Sequence, residues 1–262
     1  MTTEDLPTGL AAFSLAGRTA LVTGSSRGIG LAIARGLAKA GAAIVLNGRD
    51  EATLDAAADG LEDGGAFVRT CPFDVTDHAA SKAAVDDLEA RHGPVHILVN
   101  NAGMQHRAPL ADFPPEAFER LMATNVSSVF NVGQAVARHM IARRQGKIIN
   151  IASVQTLLAR PSVGPYMATK GAVANLTRAM ATEWAPLGLN VNAIAPGYFE
   201  TELTAPLVAD PTFSDWLATR TPQGRWGRLP ELVGAAVFLS SDAASFVNGH
   251  TLFVDGGITI SL

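Results

Sequence analysis

Short apolar runs alternate with segments of helical periodicity from Thr19 to Val254, and this alternation constrains the fold more than any other feature. Strands are expected at Thr19–Val22, Ala43–Leu46, Ala66–Cys71, Val95–Val99, Lys147–Ile151, Leu189–Ala195 and Thr251–Val254. Helices are expected after the first strand through Lys39, then at Glu51–Leu61, Ala79–Arg91, Glu116–Ile141, Tyr166–Trp184 and Glu231–Leu239. Strands that alternate with helices run parallel through right-handed crossovers, which implies an α/β chain with a doubly wound sheet and helices on both faces. No shift of composition, repeat or linker marks a second domain, so residues 1–262 read as a single unit. The interval Tyr198–Arg228 departs from the rhythm. It carries Pro206, Pro211 and Pro222, shows no strand, and is expected to pass over the sheet as a small lid.

Composition narrows the function classes. The chain is 48% hydrophobic and 17% charged, which suits a large core and argues against disorder. Its net charge of −4 is mixed along the sequence, with no basic run that would mark a nucleic-acid surface. Cys71 is the single cysteine, so an internal disulfide and a thiolate metal cluster are both excluded, and a reducing compartment fits. The six histidines show no ligand spacing, and no metal is expected. Met1–Leu15 has acids at Glu4 and Asp5 and no basic start, unlike a signal peptide. The longest apolar stretch, Leu31–Leu46, is broken by Arg35 and Lys39 and does not read as a membrane span. A cytoplasmic protein with a loose N-terminal tail over residues 1–14 is expected.

The first strand runs into Thr23-Gly24-Ser25-Ser26-Arg27-Gly28-Ile29-Gly30, and a helix follows. Glycines there allow a tight turn and close approach of the backbone to a pyrophosphate, which the amides of the helix N-terminus would face. The second strand ends Leu46-Asn47-Gly48-Arg49. An acid at Gly48 would hold a ribose 2′-hydroxyl; Arg49 and Arg27 suit a 2′-phosphate instead, so NADP is expected over NAD.

Tyr166 and Lys170 stand four apart on an expected helix and share a face. A phenol of pKa about 10 is a poor base near neutrality, and a neighbouring ammonium is expected to lower it. Ser153, just past a strand end, is placed to donate to a substrate oxygen as charge develops there.

These motifs, in order over nearly the whole chain, resemble the short-chain dehydrogenase/reductase family: the turn Thr23–Gly30, Asp74, Asn100-Asn101-Ala102-Gly103, Asn125, Ser153, Tyr166-x3-Lys170 and Pro196-Gly197. The resemblance implies a Rossmann-type single domain that interconverts an alcohol and a ketone with NADP. It implies Asn125, Ser153, Tyr166 and Lys170 as the catalytic group, with Asn125 linking Lys170 to a proton-supplying water chain. Lys170 would also hold the nicotinamide ribose. Gly24, Ser26, Arg27, Gly28, Ile29, Gly30, Arg49, Asp74, Val75, Asn101, Gly103, Pro196, Gly197, Phe199 and Thr201 would line the cofactor.

Further stretches resemble one branch, the gluconate 5-dehydrogenases: Gln105–Leu110, Ser153-Val154-Gln155, Ala159-Arg160-Pro161, Gly224–Gly227 and the tail Val254–Leu262. The branch implies a sugar-acid substrate, and a carboxylate with hydroxyls would want Arg107 and Arg160 beside Gln155, Ser153 and His106. Other readings are a reductase of the same fold acting on a 3-oxoacyl thioester, an NAD-preferring enzyme oxidising at C3, and a cofactor-binding regulator without turnover. Similar enzymes are tetramers, and Glu116–Ile141 and Phe246–Phe253 offer apolar patches for self-association.

Overall fold

The computed structural model describes residues 7–261. The acids Glu4 and Asp5, and the last residue of the tail motif, Leu262, lie outside the described residues. Seven parallel strands form one sheet: β1 (Thr19–Val22), β2 (Ala43–Leu46), β3 (Val68–Thr70), β4 (Ile97–Asn100), β5 (Gly146–Ile151), β6 (Leu189–Pro196) and β7 (Thr251–Val254). Their spatial order is β3-β2-β1-β4-β5-β6-β7. The order reverses between β1 and β4, and in such sheets ligands bind at the carboxyl ends of the strands beside that reversal. The doubly wound sheet read from the sequence is therefore the fold.

Alternation along each strand splits the core in two. Ala20 and Val22 of β1, Ile97 and Val99 of β4, and Ile149 and Ile151 of β5 pack on one face. Helices α1 (Gly28–Lys39), α2 (Glu51–Glu62) and α9 (Pro230–Ser240) cover them with Ile33, Leu37, Leu54, Leu61, Leu232 and Leu239. Leu21, Leu98 and Ile148 point the other way, towards α3 (His78–His92), α5 (Ser128–Ala142) and α6 (Gly164–Trp184). Val85, Leu88, Val132, Val136, Met140 and Val173 close that side. Both faces of the central strands are dry, so they read as unbroken apolar runs.

The expected helix Glu116–Ile141 is not uniform. It comprises α4 (Pro115–Met122), a π-turn at Ala123–Ser127 and α5. Periodicity over such a length does not reveal one extra residue in one turn. The wider turn leaves Asn125 1% exposed and facing the strand ends, and π-turns concentrate at functional sites.

Two further helices were not foreseen: α7 (Ala205–Val208) and α8 (Pro211–Arg220), both inside the proline-bearing excursion. Asp210 caps α8 by accepting from Thr212 and Phe213 amides, and Pro211 takes the first helical position. A bridge between Phe199 and Gly227 closes the base of the excursion. Within the expected tail, Gly9–Phe13 forms a 3₁₀ turn whose Phe13 ring packs 6.3 Å from Phe238. Among the described residues, no helix is long and apolar enough to cross a membrane.

Candidate active site

At the carboxyl end of β1 the chain makes the glycine turn, and packing explains its glycines. A Cβ on Gly24 would stand 2.8 Å from the Ala102 Cα, and one on Gly30 would stand 2.5 Å from both the Asn101 amide nitrogen and the Gly24 carbonyl oxygen. Asn101 holds the turn from β4: its Nδ2 donates to the carbonyls of Thr23 and Gly24, each at 2.9 Å. Thr23 Oγ1 in return accepts from the amides of Asn101 and Ala102 at 3.0 Å. The result is a bare backbone cradle at the start of α1. This cradle fits a dinucleotide pyrophosphate: a side chain at Gly24 or Gly30 would collide with Ala102 or with Asn101 and force the turn out of shape, while beside Gly28, at φ 57°, nothing of the protein lies within 4 Å of where a Cβ would stand.

Arg27 and Arg49 flank this turn, 77% and 80% exposed at their side chains. Arg27 lies 3.4 Å from Glu202, and Arg49 lies 4.0 Å from Asp74. Exposed pairs of this kind contribute little, so both guanidiniums stay available to a phosphate. Asp74 accepts from the amide and hydroxyl of Thr76, and the amide bond is the main reason its carboxyl lies below the usual range. Val75 is buried, and Ser26, Gly28 and Ile29 lie half-buried along the turn. Asn47, which sequence reasoning passed over, sets the end of β2: it is buried and donates to the carbonyls of Cys71 and Phe73. Cys71 is half-buried, and burial pushes its thiol up to about 11.

Across β4 lies a second group. Ser153, past the end of β5, is 6% exposed, and its Oγ accepts from the Gln155 amide at 3.2 Å. Tyr166 opens α6, and Lys170 sits one turn later, 5% exposed, with Nζ 5.6 Å from the Tyr166 ring centre. Nζ donates to the Ile151 carbonyl at 2.7 Å. Asn125 anchors the loop after β4: its Oδ1 accepts from the Met104 amide at 2.8 Å, and its Nδ2 donates to the Met104 carbonyl at 2.9 Å and to Thr169 Oγ1 at 3.1 Å. Thr169 then donates to the Tyr166 carbonyl at 2.7 Å. Asn125 therefore reaches the start of α6 through Thr169, rather than bonding to Lys170. Thr169 sits one residue before the lysine, and nothing in its spacing had singled it out.

One expectation is corrected. The Tyr166 phenol is not lowered; burial pushes it above the ordinary tyrosine value, and the neighbouring Ser153 hydroxyl offsets only part of this. Burial acts on Lys170 as well, bringing its ammonium down to about 8. Desolvation is the leading cause for both groups.

On the far side of Tyr166, Gly197 is half-buried after β6 and Phe199 is 5% exposed. Thr201 is held by Thr204, their hydroxyls 3.0 Å apart. Gly103 lies where a Cβ would approach Asn125 Oδ1 to 3.4 Å and Lys170 Nζ to 3.9 Å. Arg107 and Arg160 come from different loops, which Ala108 joins by donating its amide to the Ser162 carbonyl at 3.1 Å. Ser162 adopts a left-handed φ of 67° there. Desolvation and the Arg160 charge both lower the Arg107 guanidinium from its ordinary value. The Arg160 guanidinium lies 4.4 Å over the Phe213 ring of α8. His106 stacks edge-on against Phe113 at 5.2 Å.

A family profile described as enoyl-(acyl carrier protein) reductase matches residues 24–259. A gluconate 5-dehydrogenase of Gluconobacter oxydans (strain 621H) is 61% identical over 250 residues, 95% of this chain and 98% of that one. A 5-keto-D-gluconate 5-reductase of Escherichia coli (strain K12) is 49% identical over the same shares. The crystal structure of a gluconate 5-dehydrogenase from Burkholderia cenocepacia J2315, in complex with NADP and tartrate, superposes with a TM-score of 0.95 at 58% identity, covering 97% of this chain and 99% of that one. Glycine cradle, serine, tyrosine and lysine all stand on a seven-stranded parallel sheet, and the chain belongs to the short-chain dehydrogenase/reductase family.

Proposed function

We propose that this chain is an NADP-dependent oxidoreductase that interconverts D-gluconate and 5-keto-D-gluconate. One observation carries the substrate reading: the Ala108–Ser162 bond joins the loops of Arg107 and Arg160, and the two guanidiniums lie near enough for the Arg160 charge to lower that of Arg107. A sugar acid needs a cation for its carboxylate, and a paired guanidinium site recognises one through charge-assisted hydrogen bonds. Names of the relatives support the same reading.

NADPH, when bound, supplies the hydride that reduces the ketone carbon. The cradle of Gly24, Ser26, Gly28, Ile29 and Gly30 receives its pyrophosphate, Arg27 and Arg49 receive its 2′-phosphate, and Asp74 and Val75 border the adenine. Asn101 and Gly103 line the dinucleotide path, Lys170 holds the ribose, and Pro196, Gly197, Phe199 and Thr201 border the amide end. Ser153 Oγ donates to the substrate carbonyl oxygen, and Tyr166 Oη delivers its proton to that oxygen as charge develops. Because burial raises the phenol, Tyr166 holds its proton throughout the neutral range and is built to act as an acid. Lys170 stabilises the phenolate left behind, and Asn125 keeps the helix start in place through Thr169. Residues 198–228 act as a lid over the substrate. The enzyme works as a homotetramer in the cytoplasm.

The test is NADPH consumption with 5-keto-D-gluconate against a panel of other ketones, a 3-oxoacyl thioester among them. Selective turnover of 5-keto-D-gluconate supports the reading. No turnover of it beside efficient reduction of another ketone overturns it.

A further inference from the structure

Arg160 is half-buried, and its guanidinium lies 4.4 Å over the Phe213 ring of α8. Its charged end makes no ion pair and no side-chain hydrogen bond among the described residues. The arginines of the excursion are occupied by contrast: Arg225 and Arg228 pair with Glu231, and Arg220 donates to Ser261 Oγ. A ring face attracts a cation through its π electrons but gives it no lone pair, so the N–H donors of Arg160 stay open to a ligand. The cation–π contact thus holds this charge in place without using its hydrogen bonds.

Both partners are fixed from behind. Phe213 sits in the first turn of α8, where its amide donates to Asp210 Oδ1 at 3.2 Å. Its ring packs against Trp216 at 5.2 Å, Tyr198 at 5.6 Å and Trp226 at 5.9 Å, and Trp226 is itself tied to α8 by donating to Ser214 Oγ at 3.1 Å. Arg160 precedes Pro161 and the Ser162 carbonyl that accepts from Ala108, so its loop is pinned to that of Arg107. The aromatic cluster also adjoins the Ser153 turn. Tyr198 follows Gly197 just past the end of β6, and Gln155, whose amide donates to Ser153 Oγ, brings Nε2 to 3.4 Å from the Tyr198 hydroxyl. Contacts therefore run without a break from Ser153 through Tyr198 and Phe213 to Arg160.

We propose that Phe213 is a positioning residue for substrate charge: its ring presets the Arg160 guanidinium to meet the carboxylate of the sugar acid, and α8 thereby makes the site selective for acids over neutral ketones. Preorganisation is what the ring supplies. A free arginine loses rotamer freedom when it grips a ligand, whereas one already held over a ring loses less. Arg107, exposed on the joined loop, adds the second cation. Phe213 acts through Arg160 rather than on the substrate. This inference rests on the sugar-acid reading above.

The experiment compares 5-keto-D-gluconate with its C1 amide, which has nearly the same shape and no charge. Wild type, Phe213→Leu, Phe213→Tyr and Arg160→Ala are assayed with NADPH on both, and Phe213→Leu is also made in the Arg160→Ala background. The readout is the acid-over-amide ratio of kcat/KM, split into kcat and KM. Wild type should prefer the acid by roughly ten- to a hundredfold. Phe213→Leu should cut that ratio by roughly three- to thirtyfold through KM for the acid, while kcat and turnover of the amide change little. Phe213→Tyr should keep the ratio of wild type, and Phe213→Leu should change nothing further once Arg160 is gone. Unchanged NADP affinity shows that the fold has survived; should Phe213→Leu fail to fold, Phe213→Met reads the same ratio with the bulk retained. Equal losses on acid and amide, a ratio as sharp as that of wild type, or a ratio that survives Arg160→Ala overturns the positioning role, while preference of wild type for the acid upholds the sugar-acid reading. Wild type that takes acid and amide equally, or that reduces neither and takes a different ketone, overturns both.

Discussion

Lys170 Nζ donates to the carbonyl of Ile151, so a cation on helix α6 is tied to the last residue of strand β5. This bond fixes the height of α6 against the sheet and, one turn earlier, the height of Tyr166. It also keeps one polar partner on an ammonium that burial has brought down to about 8.

A pH dependence follows from that pairing. Tyr166 lies above its ordinary value and Lys170 at about 8, so the pair holds both protons in neutral solution and loses the first near pH 8. Ketone reduction needs both protons and should be level below pH 8, then fall as pH rises through it. Alcohol oxidation needs the form that has lost one and should rise through the same pH. Profiles of kcat/KM in both directions check this; a reduction profile level to pH 10 would contradict it.

Replacing Tyr166 by Phe removes the proposed proton donor and leaves the ring. Turnover should drop by about a hundred- to ten-thousandfold, the usual share of general acid catalysis. NADPH affinity, measured by fluorescence titration, should change little. Activity within tenfold of wild type would show that another group delivers the proton.

Arg49→Ser should cut kcat/KM with NADPH roughly tenfold or more and leave NADH turnover nearly unchanged. Adding Arg27→Ser should deepen the loss. Cofactor selectivity is the quantity to measure, and equal losses with both nucleotides would assign the arginines another role.

Gly30→Ala places a methyl group 2.5 Å from the Gly24 carbonyl and the Asn101 amide. Overpacking of this kind costs about 1–3 kcal/mol, which for a domain of this size lowers Tm by about 2–10 °C. Because the turn must shift to admit the methyl, cofactor affinity should fall further than stability does. Thermal melts with and without NADP separate the two effects.

Most of the fold was legible because its strands are buried on both faces. Runs such as Ile97-Leu98-Val99 leave little choice of element, and the glycine turn announces itself by position. That Tyr166, Ser153 and Lys170 would lie together was legible for a related reason: each sits close to a strand end or a helix start. What escaped was set by distant contacts. The π-turn at Asn125 adds one residue to a long pattern, and Thr169 matters only because Asn125 reaches it across 44 positions. The direction of the Tyr166 shift was misjudged because spacing reveals a neighbouring charge but says nothing of how deeply both groups are buried.

The five-residue π-turn at Ala123–Ser127 also bears on redesign. An engineer seeking a more regular protein would delete one residue there and join α4 to α5 as a single ideal helix. Each residue turns an α-helix by about 100°, so the deletion would swing α4 by that angle about its axis relative to α5. Asn125 would lose its place beside Met104 and Thr169, and Ala117 and Leu121 of α4 would leave the interior they now fill. A scoring scheme that rewards helical regularity would rank this deletion as an improvement, and the protein would lose the strut beneath the start of α6.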